Sequence, residues 1–399
     1  MLPTTLRDEA TGTLRHTMRD GVVQDWDCLE ALLHRTFYGR LGWEAGADEG
    51  AVLFSEQVLT PRRDRERLAA LCFERFGLAG MFVAEAPVLA LYSVGRSSGL
   101  VADVGHDGAS VAAVVDGAAV AAASRRVTSG GGGGGEPSTS SSSSSSSSSL
   151  SAPLGGLAAE RVLRARVAAR VGDERAGAIP EDALRAAKHA VCRVAASAAE
   201  AAGSRGGAAA AAAASAAAAG GTGAPSTAPS KHVLPDGTEL EVTASDGAAA
   251  GEALVSPQFF LPPSGGDGSG GASGGSSADG GRQRQHPSLA ELLSLALSSV
   301  PDANSRKLAS EGLLICGGGS NAPGLGARIL AEGGGALPPS HPAPPPLLSV
   351  PDYVPASMAA SAAWAGGAIL ARVVFQQQQH VSRAEYDEFG PTVVHRKSA

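Results

Sequence analysis

Apolar residues recur at helical spacing early in the chain and condense into short unbroken runs between the helices. In "DWDCLEALLHRTFYGRLG", Trp26, Leu29, Leu32, Leu33 and Phe37 share one stripe behind an Asp at the cap position, with Gly39 or Gly42 near the stop. That spacing predicts a helix with one buried face. "TPRRDRERLAALCFERFG" predicts a second, with Thr60 as cap, Pro61 at the first helical position, Leu68, Leu71, Cys72 and Phe76 aligned, and Gly77 as the end. "AVLFSE" between them reads as a short buried strand. Helices alternating with apolar strands predict an α/β sheet with covered faces.

Further on, "IPEDALRAAKHAVCRVA" predicts a helix capped by Pro180 and Glu181, and "HVLPDGTELEV" a hairpin turning at Pro235, Asp236 and Gly237. "SLAELLSLALSSV" is an amphipathic helix, and "EGLLICGGGSNAPGLGARILAE" reads as strand, Gly-rich turn and helix. In "MAASAAWAGGAILARVVF", an apolar helix, Gly366 and Gly367 allow another backbone to come close. Between these islands the pattern vanishes. Residues 129–153 are Gly then Ser, 200–230 mostly Ala flanked by Gly and Pro, and 261–286 Gly, Ser and Asp. Such tracts carry too little side-chain burial to offset ordering entropy and are expected to be disordered inserts.

Composition agrees that the folded part is shorter than the 399-residue chain, since 53 Gly, 24 Pro and only 4% aromatic residues leave few large side chains to bury. The formal charge of −7 gives no general attraction to nucleic acid, and Arg62, Arg63, Arg65 and Arg67 are interleaved with Asp64 and Glu66 as on a solvated helix face. No nucleic-acid partner is expected. Cys28, Cys72, Cys192 and Cys316 lie far apart, which points to a reducing compartment. The first residues lack a signal-peptide core, and the most apolar stretch is interrupted by Glu85 and Pro87, so no membrane partner is expected either.

Two Gly-rich turns, each after a strand, are the candidate chemistry: Asp103 to Gly108, and Gly317, Gly318, Gly319 and Ser320. Backbone N–H groups in such turns can converge on an anionic oxygen, and a carboxylate at a strand end can hold a metal or its waters. Asp and Gly are also the ordinary residues of hairpins, so the turns alone assign nothing. The nine His show no metal-ligand spacing, and neither a GxSxG elbow nor a GxxxxGK[ST] loop occurs. Asp25 with Asp27, and Asp387 with Glu388, read as helix-start carboxylates explained by capping.

Taken in order, "GVVQDWDCLEALLHRTFYGRL", "SEQVLTPRRDRERLAALCFERFGLAGMFVAEAPVLALYSVGRSSGLVADVG", "LPDG", "EAL", "GLLICGGGSNAPGLGARI" and "AWAGGAILARVVFQQQQHVSRAEYDEFGPTVVHRK" resemble the actin family. Within it, "LGWEAGADEGAVLFSE" and "PDYVPASM" are most similar to the plant-type nuclear actin-related proteins. The resemblance implies an actin-like, ribonuclease H-like two-lobed α/β fold. It divides the chain into an outer lobe (11–92 and 351–399), an inner lobe (93–128 and 288–350) and a nucleotide-side subdomain (150–262). It also implies ATP with magnesium as cofactor. By the same resemblance Asp103 orients the metal, Gly105 belongs to the second phosphate loop, Gly317, Gly318 and Gly319 form the turn against the nucleotide, Arg185 and Lys188 lie near the adenosine, and Gly156 lies beside the ribose.

The chain departs from the family pattern at several of these points. The first phosphate loop, with its Asp and Lys, has no counterpart, so an N-terminally incomplete fold is expected and ATP binding is in question. Ala86 stands where the family has the Gln that positions the attacking water, Ser110 where it has a His, and His189 where a Glu contacts the sugar. Hydrolysis needs an oriented nucleophile and charge stabilisation, so no catalytic residue is expected. Two functions stay open: a non-catalytic subunit of a nuclear chromatin-remodelling complex, and a cytoskeletal protein that hydrolyses ATP and polymerises. In the first, Tyr92, Gly95, Leu370 and Val373 line a cleft for a helix of the remodelling ATPase. Actin or another actin-related protein is a further expected partner, and the nucleus, with the cytoplasm second, the expected location.

Overall fold

The computed structural model describes residues 5–7, 14–19, 21–44, 50–128, 149–151, 154–177, 179–197, 230–233, 239–256, 287–336, 344–351 and 355–397. Two short antiparallel pairs come first, β1 (Thr5–Arg7) with β2 (Leu14–His16) and β3 (Met18–Arg19) with β4 (Val22–Val23). Asp25 then caps α1 (Trp26–His34), its Oδ1 accepting from the Cys28 amide at 2.9 Å. The sequence stripe holds there, since Leu29, Leu32, Leu33 and Phe37 are all buried.

The second helix, α2 (Arg62–Ala70), follows β5 (Ala51–Glu56) and corrects two expectations. Pro61 is the cap residue itself, with ψ 136, and the Thr60 hydroxyl donates back to the Gln57 carbonyl at 2.7 Å instead of capping. The helix ends in a π turn, Leu71–Arg75, whose wider i→i+5 bond shifts the phase of the residues after Leu71. Cys72, Phe73 and Phe76 are therefore buried, while Leu68 and Leu71 are only half-buried.

β6 (Gly80–Glu85) runs parallel to β5, and α3 (Ala86–Ser93) carries the chain from this sheet to the next. The second sheet is built from β7 (Gly99–Val104), β8 (Gly108–Val115), β9 (Ala118–Ala119), β10 (Arg125–Thr128), β11 (Ser149–Ser151) and, later, β14. Its strand order is β11-β10-β8-β7-β14, with β9 pairing beside β8. Ser149–Ser151, which the sequence placed inside a disordered insert, thus pairs with β10. The rest of the 129–153 tract, residues 200–229, the 261–286 tract and the hairpin turn at 235–237 lie outside the described residues.

Three helices follow, α4 (Gly156–Val171), which packs on β8, and α5 (Asp173–Gly177) and α6 (Glu181–Val191), which pack on α4, and β12 (Ser230–Val233) pairs with β13 (Glu239–Val242) as the hairpin spacing predicts. Next come α7 (Ala244–Glu252), α8 (Leu289–Ser298), α9 (Ala303–Ala309), β14 (Leu313–Cys316) and α10 (Leu325–Ala336). The chain closes with α11 (Ala362–Gln376), β15 (Val381–Ser382), α12 (Arg383–Phe389) and α13 (Val394–Lys397), where β15 extends the first sheet beside β6. Asp387 and Glu388 lie late in α12, not at its start, because Ser382 is the cap and Glu385 completes its capping box.

The glycine pair of α11 behaves as its sequence predicts. A side chain at Gly366 would begin 1.6 Å from the Leu89 carbonyl oxygen, so α11 rests directly on the backbone of α3. The segment Ser357–Gln376 has the length and apolarity of a membrane span, but this contact sets it against the protein.

Two ionic contacts make testable statements about stability. Arg328 of α10 and Glu252 of α7 are each 1% exposed, with a hydrogen bond from Nη1 to Oε1 at 3.2 Å and an ion-pair contact between Nη2 and Oε2 at 3.1 Å. The same groups clamp the backbone of Ala195, whose carbonyl accepts from Arg328 and whose amide donates to Glu252. Removing one partner strands a buried charge, so Arg328→Met should lower unfolding free energy by about 3–5 kcal/mol in urea denaturation. Adding Glu252→Leu should recover much of that loss.

At the C-terminus, Lys397 Nζ donates to Glu385 at 2.8 Å and the Ser382 amide at 3.0 Å. Lys397 first, then the Ser382 amide, hold the Glu385 carboxyl down at about 2 against an ordinary 4.5. A depressed carboxylate stabilises fully above its unfolded value and loses that contribution as pH falls through the folded one. The stability gap between the parent and Glu385→Gln should therefore be constant near neutrality and close between pH 4.5 and about 2 in denaturation series.

Candidate functional site

The site grows from one pair of parallel strand ends. β14 pairs with β7 so that Cys316 faces Asp103, which brings the two Gly-rich turns together at the same edge. At Gly317, with φ +83, a Cβ would lie 2.2 Å from Asp103 Oδ1 and 2.7 Å from the Val104 carbonyl oxygen. At Gly319 it would lie 2.4 Å from Val104 Cγ1. Only glycine lets the turns meet. Gly318 has no atom within 4 Å of where its Cβ would be, so its face is open.

The other turn is a true hairpin, closed by the Gly105 amide on the Gly108 carbonyl at 2.9 Å. It is also the seat of α4. The Gly156 amide donates to the Gly105 carbonyl at 2.9 Å and the Leu157 amide to the His106 carbonyl at 2.7 Å. Gly155, at φ +109, permits this, because a Cβ there would come within 3.0 Å of Gly105 and Gly108 backbone atoms. Two donors at the start of α4 are thus already engaged by the turn.

Asp103 accepts from the Gln57 amide at 3.5 Å, a link from the end of β5 to the end of β7. Burial pushes its carboxyl above the ordinary range, and the Gln57 contact only partly offsets it. Ser110 is buried opposite Asp103 in the β7–β8 register, and Ala86 is buried at the first position of α3. Neither side chain can orient a water as a carboxamide or imidazole would. Just before Ala86, Glu85 is pushed up to about 7 by burial and by Glu56, against Arg65. Glu56 is its register partner on β5 and forms an ion pair with Arg65.

On the far side of the turn, Arg185 and Lys188 of α6 lie together against a residue absent from the sequence expectation, Glu160. Lys188 Nζ donates to Glu160 Oε1 at 2.8 Å and sits 3.5 Å from the Gly156 carbonyl. The same Glu160 oxygen is 3.6 Å from Arg185 Nε and 3.7 Å from His106 Nδ1. Burial, aided by Lys188 and Arg185, keeps His106 below its ordinary value despite Glu160 and Asp107. His189 is exposed and likewise lowered, mainly by burial and then by Lys188. The signal for Glu160 was present in the sequence: it is an acidic residue in line with Leu163 and Val167 on the buried stripe of α4. Gln57 and His106 carried no comparable pattern.

This donor set does not match ATP with magnesium. The open face of Gly318 suits a polyphosphate, yet the cations expected near the adenosine are held by Glu160 and the first amides of α4 by the turn.

A second surface lies where α11 crosses α3. Tyr92 and Leu370 pack half-buried against the cluster of Phe82, Ala84, Leu89 and Val374. Gly95, at φ +71, forms the exposed turn after α3, its amide donating to the Tyr92 carbonyl at 3.1 Å. Val373 is 43% exposed, and Ile369, one turn earlier and missed in the sequence, is 53% exposed.

Comparison with known proteins agrees with this geometry. The actin-family model matches residues 4–399, somewhat earlier than the quoted segments begin. The chain is 32% identical over 380 residues to "Actin-related protein 7" of Oryza sativa subsp. indica, spanning 94% of this chain and 84% of that one. Against "Actin-related protein 7" of Arabidopsis thaliana it is 30% identical over 395 residues, 99% of this chain and 87% of the relative. "Actin-like protein 7B" of Mus musculus is 37% identical over 112 residues, 28% of this chain and 26% of that one. With the match running through both sheets and every helix described above, the chain belongs to the actin family.

Proposed function

We propose that this chain is a non-catalytic actin-related structural subunit that docks a helix of a chromatin-remodelling ATPase, working in the nucleus. The observation that carries the reading is the set of large apolar side chains that α11 leaves exposed, Trp364 and, one helical turn apart, the aliphatic pair Ile369 and Val373, while Gly366, Gly367 and Val374 of the same helix are buried. Exposed aliphatic residues at that spacing suit an amphipathic partner helix laid alongside. Loss of chemistry supports it from the other direction. Ala86 offers no polar side-chain atom and Ser110 no imidazole where the family resemblance expects water-orienting groups, and catalysis of phosphoryl transfer is almost wholly positioning and charge stabilisation.

The nuclear setting and the remodeller rest on the resemblance to nuclear actin-related proteins, and a second actin-family chain is the other partner that resemblance supplies. ATP with magnesium has a structural role at most in this reading, as a ligand that is held and not turned over.

Burying one aliphatic side chain contributes roughly 1.5–3 kcal/mol before ordering costs. Val373→Asp should therefore weaken binding to the remodeller's helical segment by about tenfold or more while leaving the thermal midpoint nearly unchanged. Binding equal to the parent in a pull-down titration, or failure of the variant to fold, would place Val373 in the core instead.

A further inference from the structure

The cluster under the hairpin turn contains more acid than a site for an anion can use. Glu160 is buried, and one of its oxygens serves Lys188, Arg185 and His106 together. Arg185 has a second carboxylate, Asp182, at 3.7 Å, and His106 has Asp107 at 3.9 Å. Glu160 and Asp182 thus attend the two fixed cations, Lys188 and Arg185, and an entering anion finds each of them already beside a carboxylate. The space beside Gly156 is filled as well, since a Cβ there would lie 3.0 Å from Lys188 Nζ and 3.3 Å from His106 Nδ1.

We propose that Glu160 is a built-in counter-ion, standing where a bound anion would stand, so that the chain neutralises its own basic wall and binds adenine nucleotide weakly. A charge-assisted bond to a buried ammonium is among the stronger polar contacts, and a nucleotide competing for Lys188 must displace it and leave the Glu160 carboxylate with only the longer Arg185 and His106 contacts. The same pair ties α4 to α6 directly across the turn. In this chain, then, the joint that a ligand would otherwise brace is braced by a side chain. The inference rests on the actin-type placement of nucleotide at these turns, and the test separates the two claims.

The probes are magnesium ADP and inorganic pyrophosphate, titrated calorimetrically into the full chain, into Glu160→Gln, and into Glu160→Gln/Lys188→Gln. Glu160→Gln keeps a hydrogen-bond acceptor for Lys188 while removing the charge. The double variant removes the buried pair as a unit and frees Arg185 without stranding a charge, so it answers if the single variant fails to fold. The account expects ADP affinity to rise about tenfold or more in Glu160→Gln and severalfold in the double variant. Parent affinity equal to that of the folded variants would overturn the proposal, as would no gain for either probe. A gain for pyrophosphate without one for ADP would uphold Glu160 as counter-ion and overturn the nucleotide placement beneath it.

Discussion

The arrangement depends on places where backbone touches backbone because a side chain is missing. At Gly366 the Leu89 carbonyl oxygen occupies the position of a Cβ, which seats α11 on α3. Helix α3 leads directly from β6 to β7, so this contact fixes how the two sheets meet. It also decides what α11 shows to solvent. With Gly366 and Val374 turned inward, Ile369 and Val373 on the flank are left without cover. Gly317 plays the same part in the cleft, where its lack of a side chain lets the turn after β14 lie on Asp103. Packing this close is unforgiving, since an added methyl has no space to enter without moving backbone.

The cleft built on these contacts is the one in which the family resemblance expects a nucleotide. Strand ends, hairpin turn and helix start converge, yet position 86 is a methyl, position 110 a hydroxyl, and the cations of α6 are bound to an internal acid. Glu85, poised to about 7 beside the lost position, is held in a local triad with Glu56 and Arg65. In physical terms the basic side chains of α6 are satisfied by a carboxylate of the chain itself.

Much of this was legible in the sequence, and the failures have identifiable causes. The helices with strong caps, such as Asp25 before α1 and Ser288 with Glu291 at α8, sit where their spacing put them. Both Gly-rich turns fall at strand ends, because glycine at those positions is dictated by backbone clash. The phase of α2 was misread because π turns leave no mark in a 3.6-residue pattern. Asp387 and Glu388 read as a helix start only if the capping box at Ser382 and Glu385, which begins five residues before Asp387, is left out of account. Glu160 was missed for a different reason: its meaning lies in α6 and the hairpin turn, which only folding brings to it. Tyr92, Gly95, Leu370 and Val373 came from resemblance, and Ile369 needed the exposed flank of α11 to be seen.

The claim at the centre is that an actin-family frame persists here without catalysis. Single-turnover hydrolysis of γ-labelled magnesium ATP by the full chain, measured beside Asp103→Ala, tests it most directly. The account predicts phosphate release at the uncatalysed background from both proteins, because Ala86 and Ser110 supply neither the carboxamide nor the imidazole expected to orient a water there. Release well above background that Asp103→Ala abolishes would contradict it.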